Sequence, residues 1–140
     1  MYWEGDFREK LSKKLADFVN HASESVKQEF GYFVAEENGE VVGVAILRKA
    51  PAYIRTFAST GNPAELYILA VKNPGCGIGK ALAEAVLSEM KSRHYTEAVL
   101  YSSEAHRKSW GFYKHTGFER VGPAAAPSGE PGFIWRKVFE

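Results

Sequence analysis

An apolar run, Glu65-Leu-Tyr-Ile-Leu-Ala-Val71, ends in a glycine-rich turn, and that turn opens directly into a helical pattern from Ile78 onward. Gly75, Gly77 and Gly79 stand at alternate positions, so backbone N–H groups are presented with no side chain in the way. The helix adds its own unpaired N–H groups and the positive end of its dipole. The combination makes a cradle for a phosphate or pyrophosphate. A chain built around such a unit carries a strand, a crossover helix and a parallel partner strand, and the crossover is right-handed. The partner is read at Ala98 to Tyr101.

The remaining pattern surrounds this unit. Tyr32 to Glu36 and Glu40 to Leu47 are β-rich runs on either side of Asn38-Gly39, the dipeptide favoured in tight hairpins. Asp6 with Glu9 has capping-box spacing, and Phe7, Leu11, Leu15 and Phe18 follow at helical intervals. A shorter helix is expected from Ser23 to Phe30, and a short strand from Tyr53 to Phe57. After Tyr101 come a helix around Ala105 to His115, stopped by Gly117, and strands at Phe118 to Val121 and Phe133 to Phe139. The expected architecture is α/β in the α+β sense, a mixed central sheet flanked by helices. At 140 residues the chain is read as one domain spanning 1–140.

Bulk properties narrow the function classes. A net charge of +1 gives no basic excess, so nucleic acid is not an expected partner. The longest strongly apolar run, Val41 to Leu47, is too short for a bilayer, and the N-terminus shows no leader pattern. One cysteine excludes an internal disulfide framework and fits a reducing, cytoplasmic compartment. The four histidines show no metal-ligand spacing, so no metal is expected.

Two nucleotide motifs fail at specific positions. A Walker loop requires glycine where Pro74 stands and Ser or Thr where Ala81 stands, which leaves no hydroxyl for magnesium. A dinucleotide fingerprint requires glycine in place of Lys80.

The same residues resemble the GNAT superfamily of acyl-CoA-dependent N-acetyltransferases. Leu69-Ala70-Val71 looks like the family's strand end, and Pro74-Gly75-Cys76-Gly77-Ile78-Gly79 its pyrophosphate loop. Downstream, Phe112-Tyr113-Lys-His-Thr-Gly117-Phe118 looks like the family's Phe-Tyr-x-x-x-Gly-Phe helix terminus. The resemblance covers roughly Ala64 to Val121. Pro74 stands where the family has Arg or Gln, His106 where it often has Asn, and Ser109 where it often has Ala.

The resemblance implies the acyl-CoA N-acyltransferase fold, with acetyl-CoA as co-substrate and an amine of a small molecule or protein as acceptor. It implies that the loop from Gly75 through Cys76, Gly77, Ile78 and Gly79 to Lys80 holds the pyrophosphate, and that the backbone of Leu69, Ala70 and Val71 pairs with the pantetheine arm. Tyr113 is the implied general acid, with His106 and Ser109 on the same helix beside the co-substrate. Glu65 is a candidate general base, acting directly or through water, and Glu104 is a second candidate. The bland readings stay in view: Tyr113 as a core tyrosine, Glu65 as a strand-end charge. A non-catalytic acyl-CoA sensor is the alternative function. Cys76 sits at a helix N-terminus, which favours a thiolate and raises covalent catalysis with His94, His106 or His115 as base. It also falls on the loop's variable position, where a small filler explains it. The surplus of aromatic residues is core or dimer-surface material, leaving a homodimer open.

Overall fold

A computed structural model describes residues 30–140, so the helices expected from Asp6 and from Ser23 fall outside the described residues. A hairpin comes first: β1 (Gly31–Glu37) and β2 (Glu40–Lys49) pair antiparallel. Its turn holds Asn38 at φ 53° and Gly39 at φ 78°. Both central residues are left-handed, which matches the strand twist and explains the Asn-Gly choice.

A short helix, α1 (Ala52–Arg55), follows where the sequence suggested a strand at 53–57. Pro51 supplies a preset φ at its N-cap, and Arg55 N–H bonds back to the Pro51 carbonyl, so the segment closes one turn instead of extending. Next come β3 (Pro63–Val71), α2 (Ile78–Ser92), β4 (Glu97–Ser103), a 3-10 turn (Glu104–Ser109), α3 (Trp110–His115), β5 (Glu119–Ala125) and β6 (Pro131–Val138). The one helix expected around 105–115 is therefore two pieces that meet at Ser109 and Trp110, and the first is itself kinked where His106 adopts φ −106° and ψ 30°.

The six strands form a single mixed sheet in the order β1-β2-β3-β4-β6-β5, and only β3 and β4 are parallel. The parallel ladder is short. Pro63, Ala64 and Glu65 pair with Glu97, Ala98 and Val99, and no ladder pair joins the strands beyond. The sheet is thus open along 66–71 and 100–103, between its two halves.

One face carries the main core. α2 buries Leu82, Ala83, Val86, Leu87 and Met90 against Leu47, Leu66, Leu100 and Trp135. Gly43 lets the helix approach closely, since a Cβ there would lie 2.8 Å from Leu82 and 3.0 Å from Ile78. The opposite face holds two smaller clusters, Val44, Ile46, Ile68 and Ala70, and Ile54, Val99 and Ile134.

A β-bulge decides which side chains face the opening. Ile46 pairs with Ile68 and Leu47 with Leu66, so Tyr67 is the extra residue on β3. Before it, Ala64 and Leu66 face α2; after it, Leu69 and Val71 take that face. Without the bulge, strict alternation would turn Leu69 and Val71 away from the helix.

Candidate functional site

The glycine loop forms one wall of the site. Gly77 is the N-cap of α2 at φ 81°, and Gly75 lies at φ 87°, left-handed conformations that favour glycine. No side chain caps α2, and its first intrahelical bond is Ala81 N–H to the Gly77 carbonyl. The N–H groups of Ile78, Gly79 and Lys80 therefore lack helical partners and point out of the helix end. A Cβ built on Gly75 or Gly77 meets nothing within 4 Å, so the backbone face is open to a ligand.

A cavity of about 350 Å³ lies between this loop, the open end of β3 and α3. Of the residues expected at a co-substrate site, Leu69, Val71, Gly75, Gly77, Gly79, Lys80, Ser109 and Tyr113 line it. Pro74 and Phe112, which belong to the two sequence elements quoted above, also line it, as does Lys108, which was not singled out from the sequence. Nothing in the sequence pattern marked Lys108.

Four expected residues do not line the cavity. Ala70 is fully buried on the opposite face, a consequence of the bulge, so only its backbone borders the opening. Cys76 is exposed on the loop. Ile78 packs on the main core under β2. His106 sits at a backbone kink, does not line the cavity with Ser109 and Tyr113, and has its Nδ1 buried without a partner among the described residues. Glu104 is exposed at the start of the 3-10 turn.

Tyr113 is 5 % exposed and sits among the rings of Phe112, Phe118 and Trp135, at centroid distances of 5.9, 6.4 and 6.0 Å. Burial pushes its pKa up to about 12, opposed by a hydrogen bond from Ser102 that favours the ionised form. Ser102 Oγ also accepts the Trp110 indole N–H at 3.0 Å. Ser102 thus stands between the Trp110 indole and the Tyr113 hydroxyl, which carries its own proton at the cavity wall. That proton stays on the oxygen at neutral pH and is available to a group in the cavity.

Glu65 lies on the other face of the sheet. It is 2 % exposed and shares its face with Val99, its ladder partner, and thus with α1. Its Oε1 accepts from Arg48 Nε, and Arg48 is its cross-strand partner on β2. Burial raises the Glu65 pKa, while the hydrogen bond and charge of Arg48 pull it back down. The Arg48 guanidinium stacks 3.7 Å above the ring of Tyr67, the bulge residue. Tyr53 feels the Glu65 charge, and with burial as the larger cause its pKa rises to about 12. Tyr113 and Glu65 therefore approach the sheet opening from opposite sides, the first within the cavity and the second beyond it.

No group of three or more His, Cys, Asp or Glu side chains suited to a metal occurs among the described residues. None of their helices is long and apolar enough to cross a membrane.

Comparison with known proteins agrees with this geometry. The family model of the acetyltransferase (GNAT) family matches residues 2–118. A mycothiol acetyltransferase from Acidothermus cellulolyticus is 31 % identical over 125 residues, covering 84 % of this chain and 38 % of the relative. A second, from Thermobispora bispora, is 29 % identical over 117 residues, covering 82 % of this chain and 39 % of the relative. The chain thus spans about two-fifths of the length of these relatives. Among solved structures, a GNAT-family acetyltransferase from Desulfovibrio desulfuricans aligns with a TM-score of 0.74 at 19 % identity, covering 97 % of this chain and 83 % of that one. The paiA N-acetyltransferase from Thermoplasma acidophilum, in complex with coenzyme A, aligns at 0.62 with 21 % identity, over 94 % of this chain and 70 % of that one. At those identities the structures establish the shared fold, and the family match over most of the chain establishes membership. The chain belongs to the GNAT family of acetyltransferases.

Proposed function

We propose that this chain transfers an acetyl group from acetyl-CoA to a primary amine by direct attack within a ternary complex. The observation that carries the reading is the opening between β3 and β4. An anion cradle and a protonated tyrosine stand on one side of it, and a carboxylate stands on the other.

The acetyl-CoA thioester supplies an activated acyl group. The N–H groups from Gly75 to Lys80 hold its pyrophosphate, and Lys80 adds positive charge at the cavity wall. The backbone of Leu69, Ala70 and Val71 borders the opening, where β3 has no ladder partner from β4, so its free N–H and C=O groups pair with the pantetheine amides as a neighbouring strand would. A backbone N–H there also points at the carbonyl oxygen that gathers charge during attack. The amine nitrogen attacks the carbonyl carbon and the C–S bond breaks. The proton leaving nitrogen passes to Glu65, and burial of that carboxylate under Arg48 favours passage through a water. The departing thiolate takes the Tyr113 proton. His106 stands off the cavity and acts on the co-substrate only through the backbone turn it occupies.

Calorimetry with acetyl-CoA, CoA, ATP and NAD, followed by thiol release on an amine panel, tests the reading. Binding of both CoA species together with amine-dependent thiol release is the expected result. No binding of either CoA species overturns it, and binding without thiol release on any amine favours a non-catalytic sensor.

A further inference from the structure

The acceptor side of the sheet has a charge arrangement that co-substrate chemistry leaves unused. Arg48 commits only Nε, to Glu65 Oε1, and no other hydrogen bond of its guanidinium occurs among the described residues. Its stack on Tyr67 fixes the plane of the group and leaves the in-plane Nη edge without a hydrogen bond to any described residue. Such an edge presents parallel N–H donors suited to a carboxyl or carbonyl oxygen. The Arg48 side chain is 24 % exposed while that of Glu65 is 3 % exposed, so a molecule arriving from this face meets Arg48 first. The Tyr53 hydroxyl lies close enough to sense the Glu65 charge and makes no hydrogen bond among the described residues.

We propose that Arg48 selects the acceptor: its Nη edge takes an oxygen of an acyl group attached to the amine-bearing carbon, and Glu65 takes the amine's proton. This inference rests on the acetyl-transfer reading. The acceptor is then an α-amino acyl unit, either a free amino acid or the first residue of a peptide, with amine and acyl oxygen held by adjacent groups of opposite character. A polyamine fits badly, because its second ammonium would meet the Arg48 cation instead of an anion. Tyr53 supplies a further donor or acceptor at the same face. Arg48 also positions Glu65, since it is the only side chain bonded to that carboxylate among the described residues.

The test uses matched acceptors that differ only at the neighbouring carbon. Alanine, alaninamide and ethylamine form one set; leucine, leucinamide and isoamylamine a second; phenylalanine, phenylalaninamide and phenethylamine a third. Acetyl-CoA binding is measured on every variant, so a failure of the co-substrate reading shows as lost binding and is told apart from a wrong acceptor class. The expected result is a kcat/KM for the acids or amides at least about tenfold above that of the plain amines, residing mostly in KM. The order of acid and amide separates the free amino acid from the peptide source. Arg48→Gln removes the preference for an acyl oxygen, and Arg48→Lys restores part of it while keeping the charge. Plain amines used as well as their acyl partners, Arg48→Gln lowering all acceptors by one factor, or no acceptor of any set acetylated while acetyl-CoA binds would each overturn the proposal. Unchanged thermal unfolding of Arg48→Lys keeps the comparison valid should Arg48→Gln fold poorly.

Discussion

Glu65 and Val99 form the final pair of the parallel ladder between β3 and β4, and the functional opening of this sheet starts at that pair. The ladder ends there although both strands continue, β3 to Val71 and β4 to Ser103. Two unlike environments meet at the opening. Leu69, Val71 and Tyr113 border it from the α2 side, and Glu65 with Arg48 borders it from the α1 side. The proposed ternary complex would use both environments, one for each substrate.

The glycines of the cradle are not equivalent, and substitution separates them. At Gly77 the left-handed φ makes any Cβ costly, by about 1–2 kcal/mol, so Gly77→Ala lowers Tm by a few degrees and weakens acetyl-CoA binding. Gly79 has no such φ, and a Cβ there lies 3.6 Å from Phe112 and 3.7 Å from Val71, ordinary contact distances. Gly79→Ala is expected to keep both Tm and affinity. Thermal unfolding and calorimetry on the two variants check the contrast, and equal losses would count against the geometry.

Tyr113→Phe removes the proton donor while retaining the ring among Phe112, Phe118 and Trp135. Turnover should fall by about 10²-fold or more, with acetyl-CoA affinity nearly unchanged. Ser102→Ala acts one bond further out. It leaves the Trp110 N–H without its acceptor and frees the Tyr113 oxygen to turn, so turnover drops by less and stability by about 1–3 kcal/mol. Steady-state kinetics with urea unfolding distinguishes the two; a full rate for Tyr113→Phe removes the proposed acid.

Alkaline stability carries the same tyrosine's signature. In the unfolded chain a tyrosine ionises near pH 10, whereas folded Tyr113 holds its proton to about 12. The folded state binds the extra proton between those values. Tyr113 therefore adds stability that is fully present below pH 10 and lost as pH rises towards 12. Tyr32 and Tyr53 are shifted the same way, so the wild type loses stability steadily over this window and Tyr113→Phe loses less. Urea midpoints at a series of pH values from 9 to 11 measure the difference; parallel curves would show that Tyr113 ionises as freely folded as unfolded.

The parts of this molecule that obey local rules were legible in its sequence. Asn38-Gly39 announced the hairpin, Gly75 to Gly79 announced the glycine turn, and the spacing of Ala81, Leu82, Ala85, Val86 and Met90 drew the buried side of α2, with Ala81 and Ala85 solvated instead. What escaped depends on register or on single backbone departures. The extra residue at Tyr67 leaves no mark in composition, yet it puts Ala70 on the opposite face while bringing Leu69 and Val71 to the cavity. The kink at His106 is likewise invisible to helical spacing, which placed His106 and Tyr113 on one face. Arg48 reads as an ordinary strand-end charge until pairing sets it beside Glu65.

Cys76 offers a clean test of the covalent alternative. Its side chain is exposed on the loop and does not line the cavity, and the histidines once considered as partners do not line it either. Cys76→Ala should keep kcat/KM within about twofold, because the loop works through backbone N–H groups that the change leaves in place. Kinetics after alkylation of the wild-type thiol gives an independent readout: a bulky adduct beside the cradle raises the KM for acetyl-CoA while kcat holds. Loss of turnover in Cys76→Ala itself would revive a thiolate nucleophile.

If Glu65 is the proposed general base, the pH dependence of turnover is tied to Arg48. A general base works only when ionised, so kcat/KM falls on the acid side as Glu65 takes up a proton. Burial moves that fall to higher pH than an ordinary carboxylate would give, and Arg48 opposes the move with a hydrogen bond and a positive charge. Removing Arg48 leaves only the burial cause. The acid limb of Arg48→Gln should therefore lie at higher pH than that of wild type, and Arg48→Lys, which keeps the charge without the fork, should fall between them. Glu65→Gln should lose the limb altogether and turn over about 10²-fold more slowly. Profiles of kcat/KM from pH 5 to 9 on the three variants decide the matter. An acid limb that stays put when Arg48 is replaced, and persists in Glu65→Gln, would belong to another group, the acceptor amine itself.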